Sequence, residues 1–554
     1  MAHTNSPIDP PPTASKSASK RAALQQFKAL VLQIVRWTKG FLELQKLPYI
    51  ANKACEIYLR DADEAQRARC RRILQTRLEL NPAQLRHFFH TSMGKQLLSW
   101  FGRFFHPTSD DHNHLHHLQD LLVQMASDPE GLSLLSFLRR FPDTQQLNLD
   151  QLLFTAQRVE WLLKETETTI ATIRDSSIAE MSQTTAIAFA SLPDLRQPGQ
   201  FAVKQLTFTA ARSPRSYGSD KVEARSLQVV CYQPDPLPSK PIPVVIQSHG
   251  FASNPEDLEP YARHLASYGY LVAAPWHPGS DTEQVRRMLT GEAAEVFQLT
   301  EFVDRPLDIH DLLDDLERRN APEFESKLNL TAVGVVGYSF GAYTAFALAG
   351  ANIQFDKLEL ACGLTPGDTN LSLLLQCQAL GLPRQLYHLR DDRVQAILAL
   401  DTVGSEVFGQ AGIQKIQVPV MLIAGSQDPI APLALEQMRI FQWLTTNHHY
   451  LALMQGKSHV GDMQRFSRTL DLQIKVLPQV KLGVTPFEQY IQALSVAFFQ
   501  GHLTHDPKAL AYLSPHYTAY LSRTPFDLWL ISQASRQDWR HQPGASAIEN
   551  REVA

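Results

Sequence analysis

The pentapeptide Gly337-Tyr338-Ser339-Phe340-Gly341 follows directly on the apolar run Val333-Gly334-Val335-Val336. A strand that runs into G-x-S-x-G must reverse sharply into a helix, and the two glycines remove Cβ atoms that would collide in so tight a turn. Residues 342–349, rich in Ala, Phe and Leu, read as that helix, with its positive N-terminal end aimed at the serine. The turn lifts the serine hydroxyl out at the C-terminal edge of a parallel sheet. A chain built around it must alternate strand and helix on both sides.

The surrounding sequence does so. Strand-like runs occur at residues 201–208, 227–232, 244–247, 271–274, 333–336, 396–400, 418–424 and 450–454, separated by helical stretches. This pattern predicts a mostly parallel eight-stranded sheet with helices on both faces. Before it, residues 21–180 carry apolar positions at three- and four-residue spacing and read as an all-helical domain. Asn81-Pro82 marks a helix start within it. The reading divides the chain into a disordered tail at 1–20, a helical domain at 21–180, the α/β domain at 195–480, a C-terminal helical extension at 481–535 and a flexible tail at 536–554.

Two stretches exceed what the sheet needs, residues 279–300 and 352–393. Long excursions at the C-terminal edge of such a sheet cover or shape a pocket. The second holds Leu371-Ser-Leu-Leu-Leu and reads equally as a lid wall or a peripheral helix pair.

A serine hydroxyl needs a base and an orienting acid to become a nucleophile. Downstream, the apolar run 418–424 leads into Gly-Ser-Gln-Asp428, and the run 450–454 leads into Gln-Gly-Lys-Ser-His459. Both loops leave the sheet edge that carries Ser339, so Ser339, Asp428 and His459 are the candidate catalytic set. Asp401 also ends a strand, after Ala396-Ile-Leu-Ala-Leu, and stands as the alternative acid. Asp428 is preferred because Gly-Ser-Gln-Asp-Pro-Ile-Ala-Pro is a tight loop suited to turning a carboxylate toward the histidine. Backbone donors for an oxyanion are expected from Phe340, next to the nucleophile, and from Phe251 in Ser248-His-Gly-Phe. His249 reads as a structural hydrogen-bonder beneath that loop.

Composition narrows the partners. A net charge of −4 and the lack of a long basic run disfavour nucleic acid. Five scattered cysteines (Cys55, Cys70, Cys231, Cys362, Cys377), with no C-x-x-C, read as reduced buried thiols in a reducing compartment. Neither a signal peptide nor a membrane span is evident, so the expected location is cytoplasmic. The Asp110-Asp-His-Asn-His-Leu-His-His117 run matches no metal-ligand spacing, and no dinucleotide or phosphate loop is found. No metal and no cofactor are expected.

Ser248-His-Gly-Phe, Trp276-His-Pro-Gly-Ser, Asp304-Arg-Pro-Leu-Asp-Ile, Gly337-Tyr-Ser-Phe-Gly, Asp428 and Ser458-His459 together resemble the platelet-activating-factor acetylhydrolase branch of the α/β-hydrolases. They are also similar to dienelactone-hydrolase-like enzymes and to bacterial polyester- and lipase-type enzymes. The resemblance covers about residues 201–477. It implies an α/β-hydrolase fold and a serine esterase acting on a small-molecule or lipid ester with a short or modest acyl group. In the eukaryotic acetylhydrolases the acid stands at the position of Asp401, and in the bacterial lipase-like relatives at that of Asp428. Leu78-Glu-Leu-Asn-Pro, Met93-Gly-Lys-Gln-Leu-Leu and Asp128-Pro-Glu-Gly-Leu-Ser-Leu-Leu-Ser-Phe-Leu resemble the helical domain of unknown function that precedes such hydrolases in cyanobacterial proteins. The rival reading is a vestigial hydrolase core serving as a scaffold, with the apolar stripe at 22–44 as a peripheral membrane contact.

Overall fold

The computed structural model describes residues 80–107, 114–128, 145–217, 220–222, 226–364, 370–459 and 486–535, with a few isolated positions besides. The two tails, the 22–44 stripe, Cys55, Cys70 and Asp110 to Asn113 lie outside the described residues. The chain forms two compact units, one of residues 1–86, 101–152 and 472–479, the other of 87–100, 153–471 and 480–554.

In the first unit, helix His114–Ala126 buries Leu118, Leu122, Val123 and Met125, the face that three- and four-residue spacing creates. The region is not wholly helical: Phe105–Pro107 pairs antiparallel with Gln145–Leu147. Strands of three residues are too short to leave a period in the sequence.

The second unit is built on one nine-stranded sheet. Its strands, in chain order, are β1 Ala202–Ala211, β2 Ser226–Asp235, β3 Ile242–Ser248, β4 Leu271–Pro275, β5 Leu328–Tyr338, β6 Val394–Leu400, β7 Val420–Gly425, β8 His449–Met454 and β9 Leu528–Ser532. Their spatial order is β1-β2-β4-β3-β5-β6-β7-β8-β9. Strands β4, β3, β5, β6, β7 and β8 run parallel, while β2 and β9 pair antiparallel with their neighbours. This is the α/β-hydrolase fold.

All eight expected strands are present, and the ninth comes from the extension. Leu528-Trp-Leu-Ile-Ser closes the β8 edge, which would otherwise expose unpaired backbone groups.

Alternate residues of each central strand face two layers. Val336, Leu398, Leu400 and Met421 meet Ala262, Leu265, Leu494, Phe498 and Phe499, from helices Glu259–Ser267 and Pro486–His502. Helices Glu301–Phe324 and Phe340–Leu348 pack against the sheet as well as each other. Strands covered on both sides are apolar nearly throughout, which is why β6 and β7 read as continuous hydrophobic runs.

One expectation is corrected. Cys362 and Cys377 form a disulfide, so these two of the five cysteines are not free thiols. The 352–393 insertion doubles back, bringing their Cα atoms to 5.8 Å across fifteen residues of sequence. No local spacing could announce such a pair. Cys231 is buried and free, and burial pushes its thiol pKa up. The bridge removes the ground for assigning a reducing compartment, because that reading rests on all five thiols being reduced. No helix among the described residues is long and apolar enough to cross a membrane.

Candidate active site

Strand β5 ends at Tyr338 and helix Phe340–Leu348 begins at once, so Ser339 is the whole turn. Its backbone stands at φ 54 and ψ −113. A non-glycine residue held there stores roughly 1–3 kcal/mol, tolerable only where the surroundings impose it. Here they do. A Cβ on Gly337 would lie 2.2 Å from the Gly341 carbonyl oxygen, and one on Gly341 would lie 2.0 Å from that of Ser248. Both glycines are therefore needed for the helix to pack against β5 and β3.

His459, in the loop after β8, places Nε2 2.9 Å from Ser339 Oγ. Its Nδ1 is 2.6 Å from Asp428 Oδ2, in the loop after β7. The other Asp428 oxygen accepts the amides of Ile430 and Ala431, each at 2.9 Å, which anchors the carboxylate. A proton on Nδ1 directed to Asp428 leaves the Nε2 lone pair facing the serine hydroxyl, the tautomer that can take its proton. Tyr338 donates its hydroxyl to the His459 carbonyl at 2.6 Å, tying the histidine loop to β5. Ser339, Asp428 and His459 are 7%, 7% and 6% exposed, so a reacting group would meet them largely out of water.

Asp401 lies close by but is engaged elsewhere. Lys457 pairs with its Oδ2, and the Gly425 amide donates to its Oδ1 at 3.2 Å. Burial pushes the Asp401 carboxyl pKa up, Lys457 opposes this, and Asp428 adds to it. One ligand-type atom from each of Asp401, Asp428 and His459 lies within 4.8 Å of the others. Each of the three already holds a protein partner: Asp401 the Lys457 ammonium, Asp428 the imidazole and two amides, and His459 the serine hydroxyl.

The loop after β3 is braced from below. His249 Nδ1 is 2.8 Å from the Gly250 carbonyl oxygen, and its Nε2 accepts the His277 amide at 3.1 Å. This is the structural role expected for His249. Burial lowers its pKa well below the usual value, as do the Arg305 charge and His277, so the ring stays neutral. The amides of Phe251 and Phe340 donate no hydrogen bond among the described residues.

Both insertions adjoin this region. Phe297, from the first, meets the rings of Phe251 and Phe340 edge-on at 5.9 Å and 6.3 Å between centroids. From the second, Leu373 and Leu375 are buried while Leu371 is exposed. Its Asn370, Ser372 and Gln376 side chains all donate to one oxygen of the buried Glu436. The other Glu436 oxygen accepts the amides of Gly404 and Ser405, just past β6. The insertion is thus tied down at its base.

Sequence reasoning did not single out Lys457, Tyr338, Arg305 or Glu436. Lys457 left a signal, a lone cation two residues before the histidine. Asp304, Asp308 and Asp311 left another, with three carboxylates on one helix face meeting Arg212 and Arg215. Glu436 left none.

A second Ser–His–Asp series, Ser248–His277–Asp308, lies under the sheet edge, with contacts of 3.0 Å and 3.5 Å. All three are wholly buried, and burial holds the Asp308 carboxyl up at about 6 despite Arg212 and Arg215. It is a brace for the β3 loop, out of reach of any substrate.

Residues 50–150 match a family model described as an alpha/beta hydrolase of unknown function (DUF1400). No curated protein matches the chain. The matched stretch precedes the sheet, so fold and family model are separate observations that agree. Both point to the α/β-hydrolase fold, the family model through residues 50–150 alone.

Proposed function

We propose that this protein is a serine hydrolase that cleaves carboxylic esters through an acyl-enzyme. The observation that carries the reading is the continuous series Ser339 Oγ, His459 Nε2, His459 Nδ1 and Asp428, at 2.9 Å and 2.6 Å, on a strained strand-to-helix turn. Ser339 Oγ attacks the ester carbonyl carbon while His459 Nε2 takes its proton. The Phe251 and Phe340 amides hold the oxyanion, and Asp428 keeps the tautomer and balances the imidazolium. Collapse breaks the bond to the alkoxy oxygen, which leaves as alcohol with the proton from His459. Water, deprotonated by the same imidazole, then attacks the acyl carbon and releases the acid and Ser339.

The substrate class we favour is a lipid-like ester with a short or modest acyl group. Its support is the resemblance of the site motifs to acetylhydrolase and lipase-type enzymes and the apolar wall that Phe297 forms beside Phe251 and Phe340. Ser339→Ala should abolish p-nitrophenyl ester hydrolysis with an unchanged circular dichroism spectrum. Undiminished turnover in that variant would refute the reading, and a series of esters of increasing chain length would define the acyl preference.

A further inference from the structure

Among the described residues, Arg305 is the largest fully buried side chain, and its donors are unevenly spent. Its Nη1 donates to the His249 carbonyl at 2.6 Å and Nη2 to the Gly250 carbonyl at 3.2 Å. Nε donates to Ser280 Oγ at 2.9 Å. The guanidinium carbon stands 4.5 Å from the centroid of the Phe340 ring. The nearest carboxylate, Glu301, is 3.4 Å away and is itself served by the Ser280 hydroxyl at 2.5 Å. A guanidinium kept only to neutralise Glu301 would present its fork to that carboxylate. This one presents two donors to the backbone of a single loop.

The peptide those donors grip matters. Gly250 C=O and Phe251 N–H belong to one planar trans unit, so they point in opposite directions. Holding the oxygen on the buried side turns the Phe251 amide outward. The same cation lies over the ring of Phe340, the residue of the second expected donor. We propose that Arg305 is the positioning residue of the oxyanion site, fixing the Gly250–Phe251 peptide plane from beneath and setting a buried positive charge behind both amides. The inference rests on the ester-hydrolase reading of Ser339. Preorganised donors and charge act most strongly where water is excluded, and they act on the transition state rather than on the bound ester. Burial pushes the Arg305 pKa down to about 10, which leaves it charged at neutral pH.

The test compares wild type, Arg305→Lys and Arg305→Met with p-nitrophenyl butyrate, alongside affinity for an alkyl trifluoromethyl ketone, whose serine adduct carries an oxyanion. In folded Arg305→Met, kcat should fall about 10- to 100-fold, less than or equal to the loss of a whole oxyanion donor, with KM changed less than about threefold. Arg305→Lys, which keeps charge but not the fork, should fall between. Ketone affinity should decline in proportion to kcat/KM. Wild-type kcat in folded Arg305→Met, a loss confined to KM, or unchanged ketone affinity would overturn the proposal. Should Arg305→Met fail to fold, Glu301→Gln/Arg305→Met removes the uncompensated carboxylate, and the same criteria apply to it and to Arg305→Lys. An inactive wild-type protein whose Ser339 does not react with the ketone would overturn the parent reading and this one together. An active wild type with indifferent Arg305 variants overturns only the role of Arg305.

Discussion

Asp401 and Asp428 close neighbouring parallel strands, β6 and β7, both are buried, and each reaches toward the same histidine loop. Their partners separate them. Asp428 faces the imidazole with one oxygen and two backbone amides with the other. Asp401 faces Lys457. A carboxylate at a strand end does not meet the imidazole by position alone; the cation two residues before His459 claims one and leaves the other to the ring.

The sharpest way to break this comparison is to neutralise each carboxylate in turn. Asp428→Asn should give a folded protein with kcat lowered by roughly 10⁴, since the imidazolium loses its partner and the tautomer its anchor. Asp401→Asn should keep kcat within about tenfold of wild type. Steady-state kinetics on the two purified variants decide it, and the reverse order would assign the acid role to Asp401.

The next largest effect belongs to stability. Lys457→Met leaves the Asp401 charge buried without its cation, a change that costs about 3–5 kcal/mol in comparable pairs. Lys457→Met/Asp401→Leu should recover most of that loss, because two apolar groups need no partner. Urea denaturation of the single and double variants measures it. Additive destabilisation in the double variant would mean that the pair is not coupled.

The smallest effect lies at the opposite edge of the sheet. His502 is buried beside His448 and accepts or donates only to the Tyr450 hydroxyl, at 3.1 Å, among the bonds described. Burial lowers its pKa to about 4, and His448 and His505 push the same way. A folded pKa below the unfolded 6.5 means its contribution is present above 6.5 and is lost as pH falls toward 4. Tm should therefore decline across that window, and less steeply in His502→Phe. Equal slopes would show that His502 carries no such penalty.

Much of this was legible in the residues. Six of the eight expected strands announced themselves because a doubly covered parallel strand is apolar nearly throughout, while the half-exposed edge strand β1 showed by its alternation. Ser339, Asp428 and His459 stood out because each follows one of the apolar strands. What stayed hidden depends on distant pairing. Strand β9 is five residues long and finds β8 across some eighty residues of chain, the Cys362–Cys377 bridge needs the insertion to fold back, and Lys457 looks like any surface lysine until Asp401 is placed beneath it. Arg305 sits in a helix whose acidic residues suggest a solvated face, yet that face is turned inward.

The central claim is that His459, oriented by Asp428, makes Ser339 a nucleophile. The most direct measurement is labelling with a fluorophosphonate probe, located by peptide mass spectrometry, in wild type, His459→Ala and Asp401→Asn. The account predicts one labelled site, Ser339, with labelling strongly reduced in His459→Ala and retained in Asp401→Asn. A folded wild-type protein unlabelled at Ser339, or equal labelling in His459→Ala, would contradict it.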